Sequence, residues 1–294
     1  DSSDDWVQLG QDIFGEYYYD SFGISLSLSD DGSTLVVGAE SNPSGTGDLN
    51  FYGGHVRVYG FDSDNDEWVQ LGVDIDGERY YEFSGYATDI SSDGSIVAVG
   101  APLNNEATYY GGQVRVYTYN GSNWVQIGDE MNAEGDCDAS GSSISLSGDG
   151  KTVAIGAYAN DPTEEQVDGG HIRVYSIDEA SNTWLQIGGD IDGQTEANLG
   201  TSVSISTDGK IVATGAPNAD TNGYYGGIAK VYKYDEVEME WIQLGEDIAS
   251  DSDSYYEQFG QTVSISADGT VLAVGGNGYF YERGRVKVFK YNCE

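Results

Sequence analysis

The sequence predicts an all-β protein: a five-bladed β-propeller with four antiparallel strands per blade. Three observations predict it. One unit recurs five times with a period near sixty, taken from Gly23, Gly85, Gly141, Gly200 and Gly260. Its pieces are short, rich in Val, Ile, Thr and Tyr, and bounded by Gly, Asp and Asn, with no stretch of 3.6-residue period. A lone copy of the unit's last piece opens the chain, and the last unit lacks that piece.

Taken in order, strand A is GISLSLS from Gly23, with counterparts GYATDIS, SGSSISLS, GTSVSIS and GQTVSIS. Strand B is the VVGA, VAVGA or VATGA run, reached through a tight SDDG, SSDG, SGDG, STDG or SADG turn whose Gly supplies positive φ. A variable loop leads to strand C, the VRVY, IRVY, AKVY and VKVF runs. Strand D is WVQLGVDI from Trp68, WVQIGDEM from Trp124, WLQIGGDI from Trp184 and WIQLGEDI from Trp241. The blades fall near 23–72, 85–128, 141–188, 200–245 and 260–291, in a single domain over 1–294. The opening copy WVQLG, residues 6–10, is expected to complete blade 5 by pairing with Val286 to Phe289. That zipper removes an unpaired edge, and the matched ends predict five blades as a complete count.

These repeats resemble the FG-GAP repeat of integrin-alpha-type propellers, and W-x-Q-x-G-x-D-I repeats of secreted proteins of marine microbes and algae. The resemblance covers nearly the whole chain. It implies an extracellular or cell-surface propeller used for adhesion or ligand binding. The family's calcium loops of D-x-D-x-D-G type are replaced here by short turns. Calcium sites are therefore not carried over to Asp31, Asp93, Asp149, Asp208 or Asp268, which are expected to bond their own turns.

The formal charge is −38, from 50 acidic and 12 basic residues, which repels phosphate backbones and excludes nucleic acid as a partner. No apolar run is long enough for membrane insertion. The two cysteines, Cys137 and Cys293, fall at opposite faces and are not expected to pair. Asn120-Gly121-Ser122 has the form of a glycosylation sequon but first serves a hairpin turn.

Alternating strand direction puts A–B and C–D loops on one face and D–A and B–C loops on the other. Fourteen of the 23 tyrosines fall in the loops of the second face. The candidate ligand-binding set is Tyr17, Tyr18, Tyr19, Tyr80, Tyr81, Tyr109, Tyr110, Tyr224, Tyr225, Tyr255, Tyr256, Tyr279 and Tyr281. Flat rings with a hydroxyl handle suit sugars and protein surfaces. Asp20, Glu82, Asp138 and Glu257 stand three positions before strand A and are the candidate calcium ligands, as a ring at the channel mouth. The DIFGE (12–16) and DIDGE (74–78) runs offer further carboxylates, equally explained as turns. Asp89 fills a slot held by Ser27, Ser145, Ser204 and Ser264 and must line the channel or be hydrogen-bonded. Arg57, Arg115, Arg173, Lys230 and Lys287 recur on strand C as a structural ion pair, and Gln8, Gln70, Gln126, Gln186 and Gln243 are expected to satisfy backbone between blades. His55 and His171 are too far apart to share a metal.

No catalytic triad or metal triad is visible, and near-identical blades argue against one differentiated active site. The expected function is a non-catalytic extracellular module that binds a glycan or an extracellular protein, with no required cofactor. The alternatives are a glycoside hydrolase-like enzyme with carboxylates at the channel mouth, and a calcium-gathering structural protein of the cell surface.

Overall fold

The computed structural model describes residues 5–43, 52–162, 167–220, 225–249, 257–278 and 284–292. It is built from antiparallel β-sheets, with no helix among the described residues. Blade 1 holds β1 (Ser25–Leu28), β2 (Thr34–Ala39), β3 (His55–Asp62), β4 (Glu67–Gln70) and the short β5 (Ile75–Asp76). Blade 2 holds β6 (Ala87–Ile90), β7 (Ile96–Ala101), β8 (Gln113–Tyr119), β9 (Trp124–Gln126) and β10 (Met131–Asn132). Blade 3 holds β11 (Ser143–Leu146), β12 (Thr152–Ala157), β13 (His171–Asp178), β14 (Thr183–Gln186) and β15 (Ile191–Asp192). Blade 4 holds β16 (Ser202–Ile205), β17 (Ile211–Ala216), β18 (Ile228–Asp235), β19 (Glu240–Gln243) and β20 (Ile248–Ala249). Blade 5 is a three-stranded sheet of β21 (Thr262–Ile265), β22 (Val271–Gly276) and β23 (Arg285–Lys290). In blades 1–4 the third strand pairs with the fourth along one half and with the short fifth strand along the other.

Strand B is sandwiched on both faces, which explains its near-continuous apolar run; Val36, Val97, Val153 and Val212 are fully buried. The core lies between blades rather than within one. Ile172 and Val174 of blade 3 pack with Val203, Val212 and Ile228 of blade 4, and similar clusters join blades 1 and 2, 2 and 3, and 4 and 5. The turns between strands A and B are stitched by amide-to-carbonyl bonds running from Asp30 to Ser92, Ser92 to Gly148, Gly148 to Thr207 and Thr207 to Ala267. On the other side glycines permit backbone contact between blades. A Cβ on Gly38, Gly100 or Gly156 would lie 2.0–2.1 Å from the carbonyl oxygen of Gly85, Gly141 or Gly200. Outside, the indoles of Trp124, Trp184 and Trp241 each donate at 2.8 Å to the carbonyl of Leu71, Ile127 or Ile187 in the preceding strand D.

The aspartates of the A–B turns bond their own turns as expected: Asp31 accepts the Ser33 amide and the Ser29 hydroxyl, and Asp93 accepts those of Ser95 and Ser91. The expected closure is not formed. Residues 6–9 belong to no strand, Trp6 is wholly exposed, and β23 pairs with β22 alone. The opening segment instead stays stapled to blade 1. The Trp68 indole donates to the Leu9 carbonyl at 3.1 Å, while Gln11 accepts the Trp68 amide at 2.9 Å and donates to its carbonyl at 2.9 Å. That is the register of the outermost strand of a blade preceding blade 1. The segment is therefore in place for its blade, but the β21–β23 sheet it would complete stands away from it. Of the successive strands A, β1 packs beside β6, β6 beside β11, β11 beside β16 and β16 beside β21, with no comparable contact from β21 to β1.

Candidate functional site

The loops of the second face hold their shape through repeated left-handed residues. Tyr19, Tyr81, Cys137 and Glu196 occupy one such position and Ser21, Phe83, Ala139, Asn198 and Gln258 another. Within these loops Tyr18 and Tyr19 stand almost fully in solvent, and Tyr17, Tyr80, Tyr81, Tyr109 and Tyr225 are also exposed. Tyr81 stacks on Tyr52 with centroids 5.4 Å apart, and Tyr109 packs against Tyr110 at 4.4 Å. Tyr224, Tyr255, Tyr256, Tyr279 and Tyr281 lie outside the described residues.

The four carboxylates expected to ring the channel mouth are buried inside the blade junctions instead. Asp20 and Asp138 bond their own loops, while Glu82 and Glu257 also meet bases of strand C. Asp20 accepts the amides of Glu16, Tyr17 and Phe22, and Asp138 accepts that of Gly135. Glu82 accepts the Glu78 amide, Asn104 and Arg115, and Glu257 pairs with Arg285. A buried carboxylate satisfied by amides and guanidinium is a loop anchor, so the shared calcium ring is not assembled from them.

In blades 1–3 the recurring base of strand C stands between two acids. Arg57 makes a fork with Asp74, both contacts at 3.0 Å, and also reaches Glu16. Arg115 joins Glu78 and Glu82, Arg173 joins Glu134 and Asp190, and Lys230 reaches Asp247 at 3.4 Å. Arg115 is fully buried, so these partners offset a large desolvation penalty. The recurring glutamines serve this pair rather than backbone between blades: Gln70 donates to Asp74 at 2.7 Å, Gln186 to Asp190 at 2.6 Å and Gln243 to Asp247 at 2.9 Å. The carboxylates Glu16 and Asp74 with His55, and Glu134 and Asp190 with His171, form two groups able to hold a metal ion, with one ligand atom of each residue within 4.8 Å of the others.

A different site opens where strands A leave the second face. A cavity of about 320 Å³ is lined by Tyr86, Ser142, Thr201 and Gln261, which follow the strand-A glycines of blades 2–5, and by Tyr158, Pro217, Asn198, Asn218 and Gln258. Its polar groups are uncharged and linked: Asn218 donates to Asn198, Gln258 donates to Asn218 at 3.3 Å, and Asn198 donates to the Tyr158 carbonyl at 2.9 Å. Glu40 lies behind this lining, near enough to Tyr86 for its charge to act on the phenol. Its Oε2 is buried without a hydrogen-bond partner among the described residues, and burial pushes its carboxyl above the usual glutamate range. Burial, the neighbouring Tyr158 and the Glu40 charge together raise the Tyr86 phenol, which keeps it protonated. Sequence reasoning missed this group, although a signal existed. Glu40 occupies the slot held by Pro102, Tyr158, Pro217 and Asn277 in the other blades, the same kind of exception that marks Asp89.

No family model matches the chain, and no curated protein matches it. Solved structures do. A Bacteroides uniformis protein assigned as a 6-phosphogluconolactonase matches with TM-score 0.61 at 15% identity, over 92% of this chain and 68% of its own. The periplasmic gluconolactonase of Pseudomonas aeruginosa matches with TM-score 0.57 at 16% identity, over 90% of this chain and 71% of its own. Hydrazine synthase of Kuenenia stuttgartiensis matches with TM-score 0.53 at 17% identity, over 95% and 80%. The chain has a β-propeller-like fold. The expectation of a non-catalytic adhesion module is corrected on this finding, since the fold neighbours are described as lactonases and not as adhesion proteins. No helix of the described residues is long and apolar enough to cross a membrane.

Proposed function

We propose that the protein hydrolyses an uncharged, sugar-derived lactone at the channel mouth, with Glu40 as general base. Glu40 carries this reading: an unpartnered carboxylate oxygen with a raised pKa, whose charge acts on the Tyr86 phenol of the cavity wall, suits a catalytic base. The description of two fold neighbours as lactonases supports the reaction class.

In the reaction Glu40 takes a proton from water as the water oxygen bonds to the lactone carbonyl carbon. The protonated Tyr86 phenol donates a hydrogen bond to the oxyanion that forms. The ring C–O bond then breaks, the leaving ring oxygen takes the proton back from Glu40, and the open hydroxy acid departs. Asn198, Asn218, Gln258 and Gln261 offer both donors and acceptors for sugar hydroxyls. No Lys or Arg lines the cavity, so a phosphorylated sugar finds no charged partner there. The fold, the acidic surface and the periplasmic setting of one neighbour support work outside the cytoplasm.

Hydrolysis of glucono-δ-lactone above its spontaneous rate tests the reading. Glu40→Gln should lower kcat by about 100-fold or more, the range for loss of a general base. It should leave the fold intact, since the buried oxygen bonds nothing. In the wild type kcat should rise with pH through a midpoint above that of an ordinary glutamate, because only the ionised base accepts a proton. A Glu40→Gln enzyme that turns over at the wild-type rate overturns the assignment.

A further inference from the structure

We propose that two blade junctions are binding sites for a zinc-class divalent cation, one made by Glu16, His55 and Asp74 and the other by Glu134, His171 and Asp190. The reading does not depend on the channel mouth. Its first support is His55. The ring is fully buried, and neither ring nitrogen has a hydrogen-bond partner among the described residues. An unsatisfied buried polar group is costly, so such a ring calls for a ligand. Nδ1 lies 3.4 Å from Oδ2 of Asp74. Two ligand atoms bound to tetrahedral zinc at about 2.0–2.1 Å are separated by about 3.3 Å, so the spacing already matches one edge of such a site.

The second support is the way the repeats vary. Blades 1 and 3 carry Glu, His and Asp at these three positions. Blade 2 carries Glu78, Gln113 and Glu130, and blade 4 carries Gln194, Ile228 and Asp247. The ladder partner of the second position changes in step: His55 faces Asp76 and His171 faces Asp192, whereas Gln113 faces Asn132 and Ile228 faces Ala249. In blade 2 the amide is satisfied, with Gln113 donating to Asn132 at 3.0 Å. The ladder partner is thus a carboxylate only where the second position is histidine, a pairing that packing alone does not require.

Arg57 and Arg173 stand in the same junctions and hold the carboxylates in place. One guanidinium against Glu16, Asp74 and Asp76 leaves the first junction net negative, which favours a further cation. A nitrogen ligand beside carboxylates selects zinc-class metals over calcium, which takes oxygen ligands.

Calorimetric titration of the whole chain with Zn²⁺, in a millimolar Ca²⁺ background that fills oxygen-only surface sites, tests the proposal. Two equivalents should bind. His55→Gln and His171→Gln should each leave one, and the double variant none. Glutamine is what blade 2 carries at this position, so the variants should keep the metal-free thermal transition of the wild type. A double variant that still binds two equivalents, or a folded wild type that binds none, overturns the proposal.

Discussion

The junction between blades 3 and 4 and the seam between blades 5 and 1 carry the same repeat residues and end in opposite states. At the first, Gly156 meets Gly200, the Gly148 amide bonds Thr207, and the Trp241 indole bonds Ile187 over Gly188. At the second, Gly23 has nothing within 4 Å of where a Cβ would stand, Gly275 touches only its own blade, and Gly245 has no indole above it. A largely apolar cavity of about 240 Å³ lies beside Gly245 between Leu244, Ile248, Leu272 and Phe289, in the slot that a tryptophan fills at the other junctions. The matching apolar residues are exposed: Trp6, Leu26 and Leu28 on one side, Val286 and Val288 on the other. Identical slots are therefore necessary for a blade interface but do not by themselves bring its two halves together.

The largest effect is expected where backbone meets backbone. Gly156→Val would drive a side chain into the Gly200 carbonyl from 2.1 Å, and only a shift of a whole blade relieves it. Loss of about 3 kcal/mol or more, or of the cooperative transition, should show in urea denaturation. Gly275→Ala meets only the mobile Thr262 hydroxyl and should stay within about 1 kcal/mol of wild type. Equal losses for the two would erase the distinction between junction and seam.

The tryptophans sharpen the same comparison. Trp184 is buried and bonds Ile127, so Trp184→Ala should cost about 3–5 kcal/mol. Trp6→Ala, at a wholly exposed ring, should change stability by no more than about 0.5 kcal/mol. A Trp6→Ala penalty close to that of Trp184→Ala would show the ring seated beside Leu244 in solution, with the seam closed.

Much of the local structure was legible because each blade repeats it. The strand order, the aspartate turns and the ion pair of strand C follow from period, turn chemistry and a rare base at a fixed slot. Ring closure was not legible. Pairing propensity is local, whereas closure needs two segments from opposite ends of the sequence to meet, which no single repeat encodes. The carboxylates before strand A were misplaced for a related reason: their spacing reveals a loop anchor only once the left-handed residues Tyr19 and Ser21 wrap the loop around Asp20. Glu40 and the histidines are exceptions to the repeat, visible when its slots are aligned, but only their placement in space shows which other residues they meet.

The smallest effect concerns Asp89, which ties three blades at the channel. Its carboxylate accepts the Leu146 amide of blade 3 at 2.7 Å and the Ser27 hydroxyl of blade 1 at 2.8 Å. Serine does the corresponding work further round, where Ser145 accepts the Ile205 amide and Ser204 that of Ile265. Asp89→Ser therefore keeps an acceptor while removing a charge. Burial raises the Asp89 pKa above its unfolded value, and the hydrogen bonds only partly offset this. Between the unfolded and folded values the native state holds the proton that the unfolded chain has lost, so native stability falls as pH rises through that window. Below the unfolded value both states are protonated and the wild type bears no charge penalty. The stability difference between wild type and Asp89→Ser should thus move in favour of the variant from pH 3.5 to pH 7, and taking a difference cancels the titration of the many other acids. A difference constant across that range would mean that the carboxylate is ionised at no cost, with the Leu146 amide and the two hydroxyls fully replacing water around it.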